Sequence, residues 1–373
     1  MKLQKWTLPV LHAAFGLTGV LHAIGGALLP ALAISLGLSD SWAGTLFLCY
    51  FLGTSLGALM CAGRYARLMT IGYFVVAAAC CGIAASSAMV LPFLFFVLGT
   101  GLGIPMTAVS MYAGRAFAGR TAAPLTLLNF TWSAGALIAP LLAARVLAGH
   151  SWRTAYWLLA IAAAVAAVAC WVGLEEPPEE QPVAAAESST RNWGVIALFA
   201  FLAFLQVGVE NTTATWLASY AMRVASTGAA RAAASSSLYW GGYLAFRGLW
   251  AVLLNRMNAM RVLSSMVVAA LLAAGLLVGF PSAAPVAMLL LGAALAPVFP
   301  LLLSRFFARA RVKDSRWVLA VCGFGGAVLP WLTGLISSGT GSLRLGLSTV
   351  PAALLLMVSL LPLMRVRERV EQA

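Results

Sequence analysis

Charged side chains are scarce in this chain of 373 residues, since Asp, Glu, Lys and Arg together make up only 9% of it. A soluble domain has roughly a quarter of its residues charged. Hydrophobic residues account for 62% of the chain, so there is too little charge to coat a water-facing globule of this size. The composition therefore excludes an ordinary soluble protein and predicts a surface that faces lipid.

Acidic residues are fewer than basic ones, which leaves a formal net charge of +13. Nucleic-acid-binding proteins can show a similar excess, but their basic residues cluster on one face or in one tail. Here the basic residues occur in short clusters between long apolar runs. We therefore predict no nucleic-acid partner.

Motifs for metal binding and nucleotide hydrolysis are lacking. The sequence has no Gly-x-x-x-x-Gly-Lys-Ser/Thr loop, no His-Glu-x-x-His and no Cys-x-x-Cys. The six cysteines all lie inside apolar runs and are predicted to be small buried residues; they are Cys49, Cys61, Cys80, Cys81, Cys170 and Cys322. We predict no cofactor, no metal and no enzymatic activity; an intramembrane enzyme and a non-transporting receptor or scaffold are the alternatives from other classes.

Twelve apolar runs are long enough to cross the hydrocarbon core as helices, which takes about 20 residues. They cover residues 8–36, 42–62, 68–87, 90–114, 121–148, 152–174, 193–222, 231–255, 259–279, 283–308, 314–338 and 343–365. The first run follows a basic start, as in a signal peptide, but it is too long for one and no small-residue cleavage site bounds it. The sequence predicts an all-α integral membrane protein.

One long polar segment, residues 175–192, divides the apolar runs into two sets of six. It is rich in Glu and Pro and poor in apolar residues, a composition typical of flexible linkers. We predict two six-helix lobes, residues 1–174 and 193–373, joined by this linker.

The basic residues are distributed unequally between the two sides of the twelve-span arrangement. One side contains 17 of the 23: Lys2, Lys5, Arg64, Arg67, Arg115, Arg120, Arg191, Arg256, Arg261, Arg305, Arg309, Arg311, Lys313, Arg316, Arg365, Arg367 and Arg369. The other side contains four: Arg153, Arg223, Arg231 and Arg344. Because cytoplasmic loops are enriched in Lys and Arg, we predict that both termini and the linker are cytoplasmic.

The two halves of the chain repeat weakly. Gly135-Ala-Leu-Ile-Ala-Pro140 in span five corresponds to Gly325-Gly-Ala-Val-Leu-Pro330 in span eleven, at an offset of 190 residues. The same offset relates Arg115 to Arg305. Internal repeats are typical of two-lobed transporters, in which the substrate binds between the lobes near the bilayer midplane.

Six sequence motifs are distributed over nearly the whole chain. They are Gly99-Thr-Gly-Leu-Gly103 in span four, Leu128-Asn-Phe-Thr-Trp132-Ser-Ala-Gly135 in span five, Gly149-His-Ser-Trp-Arg-Thr-Ala-Tyr156 between spans five and six, Val207-Gly-Val-Glu210-Asn-Thr-Thr-Ala-Thr-Trp216-Leu-Ala-Ser-Tyr220 in span seven, Trp240-Gly-Gly with Arg247 in span eight, and Pro297-Val-Phe-Pro300 in span ten. Together they resemble the major facilitator superfamily, and within it the fucose permease and glucose/galactose permease branch. The resemblance implies a transporter that works by alternating access.

The chain departs from that family in two places. The aspartate of the family's loop motif after span two is missing around Gly63-Arg64-Tyr65-Ala66-Arg67, and in the family this loop helps to gate the cytoplasmic side. Spans one and four contain no Asp or Glu, whereas the fucose permeases have proton-linked acidic groups there. The resemblance therefore does not directly carry over the coupling mechanism of the fucose permeases.

Glu210 is the only one of the ten acidic residues that falls in the middle of a span. A carboxylate at that depth is costly unless it is paired, hydrated or protonated, so it is a functional candidate; a structural carboxylate capped by polar neighbours is the alternative. Gln206 and Thr213 lie on the same helical face, which predicts a substrate-binding stripe. Further candidates on this span are Asn211, Trp216 and Tyr220.

Other candidates lie in spans one, five and eight. Arg247 is the other charge deep in a span; it is predicted to lie nearer the cytoplasmic side, where a direct pair with Glu210 is not favoured. His22 is, with Glu210, a candidate for proton coupling, because histidine can relay protons. The remaining candidate binding residues are Trp240, Tyr243, Asn129 and Trp132.

The polarity of the predicted cavity favours a hydroxylated ligand, and aromatic rings suit the apolar face of a sugar. We therefore predict a secondary active transporter for a sugar or related polyol, driven by proton symport through Glu210 and acting as a monomer in a bacterial inner membrane. The alternative is an exporter of amphipathic compounds or other metabolites with the same fold. Uniport, and transport in either direction, stay open.

Overall fold

The computed structural model describes residues 6–116, 122–177, 193–253, 257–307 and 315–370, and within these ranges the protein is helical, with no strand. The helices are α1 (Thr7–Leu36), α2 (Asp40–Leu59), α3 (Tyr65–Ala85), α4 (Leu91–Ala116), α5 (Ala122–Leu147), α6 (Trp152–Gly173), α7 (Trp193–Ala225), α8 (Ala229–Leu253), α9 (Ala259–Gly279), α10 (Ala284–Leu295), α11 (Val298–Phe307), α12 (Ser315–Thr340), α13 (Leu343–Gly346) and α14 (Thr349–Val370). Most of the predicted linker lies outside the described residues.

Eleven of the described helical segments are long and apolar enough to cross a membrane. The predicted eighth span is a helix of 25 residues, α8, but its serines and its arginines Arg231 and Arg247 make it less apolar than the other eleven. Spans ten and twelve are present as predicted, but each is interrupted within its length. Span ten breaks between α10 and α11 at Pro297, where proline lacks the amide that a continuous helix needs, and span twelve begins with the separate short helix α13.

Helix packing divides the bundle into two lobes with the same internal arrangement. In lobe N (α1–α6), α1 packs on α5, α2 on α4 and α3 on α6; in lobe C (α7–α14), α7 packs on α12, α8 on α10 and α9 on α14. The lobes meet through α2 with α12, α5 with α8, and α1 with α7. Because consecutive spans run in opposite directions, the α1–α2 and α7–α8 connections lie at the same end of the bundle. We call it the Asp40 end, and the opposite end the Glu176 end.

Matched glycines allow helices to cross at the same places in both lobes. A Cβ atom on Gly99 of α4 would lie only 1.9 Å from the carbonyl oxygen of Tyr50 on α2, and a Cβ on Gly292 of α10 would lie 1.9 Å from that of Tyr239 on α8. Only glycine permits so close an approach of two backbones. The internal repeat predicted from sequence is therefore present in the packing.

A Gly99→Ala substitution is expected to lower the stability of lobe N. The added methyl group must push α4 away from the α2 backbone, and overpacking of this kind costs about 1–3 kcal/mol. The matched control is Gly275→Ala on α9, where a Cβ has no neighbour within 4 Å; it should leave stability unchanged or raise it slightly through helix propensity. Thermal unfolding of the two detergent-solubilised variants tests this, and equal melting temperatures would contradict the crossing.

Two arginines cap helix C-termini in equivalent positions of the lobes. Arg153, at the start of α6, donates from Nη1 to two carbonyls at the end of α3, at 2.6 and 3.1 Å. Arg344 on α13 donates to two carbonyls at the end of α9, at 2.6 and 2.8 Å. Each guanidinium satisfies carbonyl groups that the helix end leaves without partners. These residues, counted at the sequence level only as loop charges, are thus part of the repeat.

The N-termini of α3 and α9 are capped by different means. In lobe C, Asn258 accepts from two amides at the start of α9, at 3.0 and 3.1 Å. In lobe N, the residue in the corresponding position is Arg64, whose side chain makes no cap. There the carboxylate of Glu176, which follows α6, accepts from the amides of Ala66 and Arg67 at 3.1 and 2.9 Å. Glu176, at the start of the predicted linker, therefore caps α3 where Arg64 does not.

Candidate functional site

Glu210 lies in the middle of α7, where that helix passes between the two lobes. The Tyr243 hydroxyl of α8 donates to Glu210 Oε1 at 3.2 Å. Arg247, one turn further along α8, donates from Nη2 to the same hydroxyl at 3.1 Å. Arg247 and Glu210 are thus connected through Tyr243 and interact electrostatically, in agreement with the expectation that a direct pair is not favoured.

The second donor group of Arg247 crosses the lobe boundary. Its Nη1 donates to the hydroxyl of Ser133 on α5 at 2.8 Å. Ser133 is fully buried, and its hydroxyl donates to the backbone carbonyl of Asn129 at 3.0 Å. Ser133 is not among the predicted site residues, although it lies within the Leu128–Gly135 motif; serine is too common in membrane helices to be recognised without its partner.

An aromatic layer lies beside this hydrogen-bonded chain and is built from both lobes. His22 of α1 lies 5.3 Å from Trp132 of α5 and 6.2 Å from Trp240 of α8, measured between ring centroids. The two indole rings are 5.9 Å apart and nearly perpendicular, and the ring of Phe51 on α2 also contacts His22. The Arg247 guanidinium lies 5.9 Å from the Trp132 ring centroid, within reach of a cation–π interaction.

Several polar atoms in and beside the aromatic layer have no hydrogen-bond partner among the residues that the structure describes. They are His22 Nδ1, Trp132 Nε1 and the Tyr239 hydroxyl. The amide of Gln206 is also buried and lies near the Glu210 carboxylate, yet it makes no hydrogen bond of standard geometry. Buried polar groups in proteins nearly always have partners. These groups can therefore donate to or accept from a polar ligand held between the lobes.

Four of the candidates on α7 interact within lobe C instead. Trp216 Nε1 donates to the carbonyl of residue 330 on α12 at 2.9 Å, and the Tyr220 hydroxyl donates to a carbonyl at the end of α9 at 2.7 Å. Asn211 packs against Gly326 of α12, and the Thr213 hydroxyl bonds to its own helix at 2.7 Å. We call the hydrogen-bonded groups around Glu210 and Arg247, together with the aromatic layer, the central cluster. From α7 it contains Gln206 and Glu210. The side chain of Asn129 is exposed, and its backbone carbonyl supports Ser133.

The Asp40 end of the lobe interface is held by an ion pair. Arg223 at the end of α7 donates to both oxygens of Asp40 at the start of α2, at 2.8 and 2.5 Å. Ser337 of α12 also donates to Asp40, and the amide of Ser41 donates to the Ser338 hydroxyl at 2.7 Å. Behind these contacts lies a cavity of about 240 Å³ between α1, α2 and α7. The pair and the two serine contacts thus join lobe N to two helices of lobe C, α7 and α12.

A family model described as the Major Facilitator Superfamily matches residues 11–316 of the chain. The chain belongs to this superfamily. It is therefore a multi-pass membrane protein of a transporter family, as its motifs indicated. A search among curated proteins found no match.

Solved structures of other facilitators have the same fold. A bacterial homolog of the human lysosomal transporter Spinster, solved in an inward-facing and occupied conformation, has a TM-score of 0.72 and 13% identity, covering 98% of this chain and 96% of its own. The nucleoside transporter NupG has a TM-score of 0.71 and 13% identity, covering 98% and 99%. The E. coli fucose:proton symporter FucP, as the N162A variant, has a TM-score of 0.63 and 16% identity, covering 97% and 99%.

One short pattern in this facilitator matches a hydrolase motif but has the wrong structure for it. Residues Gly53–Gly57 read Gly-Thr-Ser-Leu-Gly, the pattern of a nucleophile elbow. That elbow requires a sharp turn between a strand and a helix, whereas these residues lie inside α2 and the Ser55 hydroxyl donates to the carbonyl of Phe51 at 3.0 Å. Among the described residues no group of His, Cys, Asp or Glu could hold a metal ion.

Proposed function

We propose that this facilitator moves a sugar or related polyol between the lobes by alternating access, driven by protons. The observation that carries the proposal is the central cluster, in which polar atoms that have no partner in the described ranges lie beside two indole rings. A sugar has hydroxyl groups that both donate and accept, and a ring face of C–H groups that packs on aromatic rings. The cluster offers both kinds of contact at the position where alternating access requires the ligand to bind.

Each part of the cluster has a role in this proposal. Trp132 and Trp240 hold the apolar ring face, one from each lobe, so that a bound solute draws the lobes together. Gln206 and Glu210 bind hydroxyl groups from lobe C, while the free Nδ1 of His22 binds one from lobe N. Glu210 is also the proton carrier, because it is a deep carboxyl group. Its charged neighbour in the described part of the chain, Arg247, contacts it through the Tyr243 hydroxyl and does not pair with it directly.

Orientation and organisation are proposed from the charge distribution. The Glu176 end faces the cytoplasm, since the loops at that end contain most of the Lys and Arg residues. Residues 175–192 then form a cytoplasmic linker between the lobes 1–174 and 193–373. The protein acts as a monomer in a bacterial inner membrane, with its ion pair at Asp40 on the outer side.

An exporter of amphipathic compounds is the second candidate. The aromatic layer favours it, because four rings, those of His22, Phe51, Trp132 and Trp240, lie together across the lobe boundary. Such a layer can also bind the apolar part of an amphipathic molecule. Since Glu210 is the one acidic group in the cluster, the exported compounds would include cationic ones.

A thermal-shift screen of the purified protein distinguishes the two functions. A ligand that binds only the folded protein stabilises it by about 2.7 kcal/mol at 100 times its Kd. We expect stabilisation by one group among hexoses, deoxyhexoses and polyols. Trp240→Leu should abolish the shift, whereas Trp171→Leu, which removes a lipid-facing indole that is 72% exposed, should preserve it.

The opposite result decides for export. In that case no sugar shifts the melting temperature, amphipathic cations raise it, and Trp240→Leu abolishes this increase. That result would support the same binding site with a different substrate. Stabilisation that is equal in the Trp240 and Trp171 variants would place the ligand elsewhere in the bundle.

A further inference from the structure

Arg247 is shared between the two lobes at the centre of the bundle. One nitrogen of its guanidinium donates to Ser133 of lobe N and the other to Tyr243 of lobe C. The lobes touch here through α5 and α8, as the packing of Phe130 on Gly248 also shows. A change in the partners of Arg247 therefore changes a contact between the lobes.

The partner in lobe N is a neutral hydroxyl group. Ser133 uses its proton in the bond to the Asn129 carbonyl, so its oxygen is oriented to accept from Arg247. A guanidinium hydrogen bonds more strongly to a carboxylate than to a neutral oxygen. The nearest carboxylate in the central cluster is Glu210, and it is reached only through the Tyr243 hydroxyl. The observed contact with Ser133 thus competes with a stronger partner in Arg247's own lobe.

We infer that Ser133 is a positioning residue that holds Arg247 across the lobe boundary, and that Arg247 exchanges Ser133 for Glu210 when α5 and α8 separate. This inference rests on the proposed role of Glu210 as the group that binds the solute. A solute hydroxyl on Glu210 occupies the competing acceptor, which leaves Arg247 bound to Ser133 and the lobes in contact. With Glu210 unoccupied, its carboxylate competes with Ser133 for Arg247, so that the contact between α5 and α8 can open.

The exchange can be tested without any solute by measuring the distance between α5 and α8. Spin labels are placed on Leu127 of α5 and Leu249 of α8, both exposed side chains near the Glu176 end, in a chain whose six cysteines have been replaced. Pulsed electron resonance then gives the distance distribution in detergent. Ser133→Ala is expected to shift at least half of the short-distance population to longer distances, because Arg247 loses its acceptor in lobe N.

The decisive variant is the double substitution Ser133→Ala/Glu210→Gln. Removing the charge of Glu210 removes the competitor, so the short distances should return even though Ser133 is missing. If the role of Ser133 is purely structural, the α5–α8 distances in the double variant should be as long as those in Ser133→Ala. Ser133→Thr keeps the hydroxyl and should behave like the parent chain. Ser236→Ala is the matched control, since Ser236 is a buried serine of α8 that bonds only to its own helix in the described contacts.

Two results would overturn the inference: an unchanged distance distribution in Ser133→Ala, or no recovery in the double variant. Neither depends on which solute is transported. Failure of the sugar assignment in the thermal-shift screen would therefore leave this test intact. Conversely, a sugar-induced shift that persists while these distances stay fixed would support the proposed function and remove the exchange of Arg247 from it.

Discussion

Replacing Glu210 by Gln is expected to abolish proton-driven uptake while the protein still folds. The amide has the shape of the carboxyl group and keeps an acceptor for the Tyr243 hydroxyl, but it cannot bind and release a proton. Loss of a hydrogen bond to a charged group also costs about 1.5–3 kcal/mol, so solute affinity should fall about 10- to 100-fold. The measurement is uptake of the stabilising sugar into proteoliposomes, with and without an imposed proton gradient.

The control for this substitution is Glu176→Gln. Glu176 is also a hydrogen-bonded carboxylate, but it caps α3 at the far end of lobe N. The Glu176→Gln variant should retain uptake that increases with the proton gradient. Unchanged proton-driven uptake in Glu210→Gln would remove this residue from the mechanism, and loss of folding in that variant would show that its carboxylate is structural.

Breaking the ion pair between Asp40 and Arg223 should open the Asp40 end of the lobe interface. The pair is partly exposed, with 14% of the Asp40 and 43% of the Arg223 side chain accessible. Solvent therefore screens it, and an exposed pair contributes at most about 1 kcal/mol. That is about a fivefold change in the population of a two-state equilibrium. We expect Asp40→Asn and Arg223→Gln each to favour the state open at this end.

Reaction of a cysteine placed in the cavity reports that opening. In a chain without native cysteines, Ser219→Cys puts a thiol on α7 where only 4% of the side chain is accessible. Its rate of modification by a water-soluble maleimide should rise in either single variant. The exchange Asp40→Arg/Arg223→Asp should restore a slow rate, because the charges can pair again. The control is Arg231→Gln, at the same end of the bundle, which should leave the rate slow. If the double exchange is modified as fast as the two single variants, the ion pair does not hold this end closed.

Hydropathy predicted most of the fold because each span must be apolar over its whole length. The eighth span was predicted in spite of its serines and arginines, and the repeat shows why it is required, since α8 crosses α10 as α2 crosses α4. The break at Pro297 was not predicted, because proline within a membrane helix produces a kink, a break or neither according to its neighbours. Helix ends were misplaced by a few residues where capping groups such as Ser39 decide the start.

The candidate site was predictable where chemistry alone marks a residue. Burying a carboxylate or guanidinium deep in a membrane span costs so much free energy that its position alone indicates a function. Glu210 and Arg247 were predicted for that reason. Which face of a helix meets which neighbour is not determined by composition, since most of the surface of these helices is apolar. Trp216 and Tyr220 therefore could not be told apart from residues that line the cluster, and the bonds of Ser133 and Asp40 depend on partners more than a hundred residues away.

The position of a bound solute tests the account most directly. A structure of this facilitator with the sugar that stabilises it best should show the ligand packed against Trp132 and Trp240, within hydrogen-bonding distance of Glu210. Difference density in the same place should be absent from Glu210→Gln at equal sugar concentration. Density confined to the cavity behind Asp40 and Arg223, or to a lipid-facing groove, would contradict the assignment of the central cluster as the transport site.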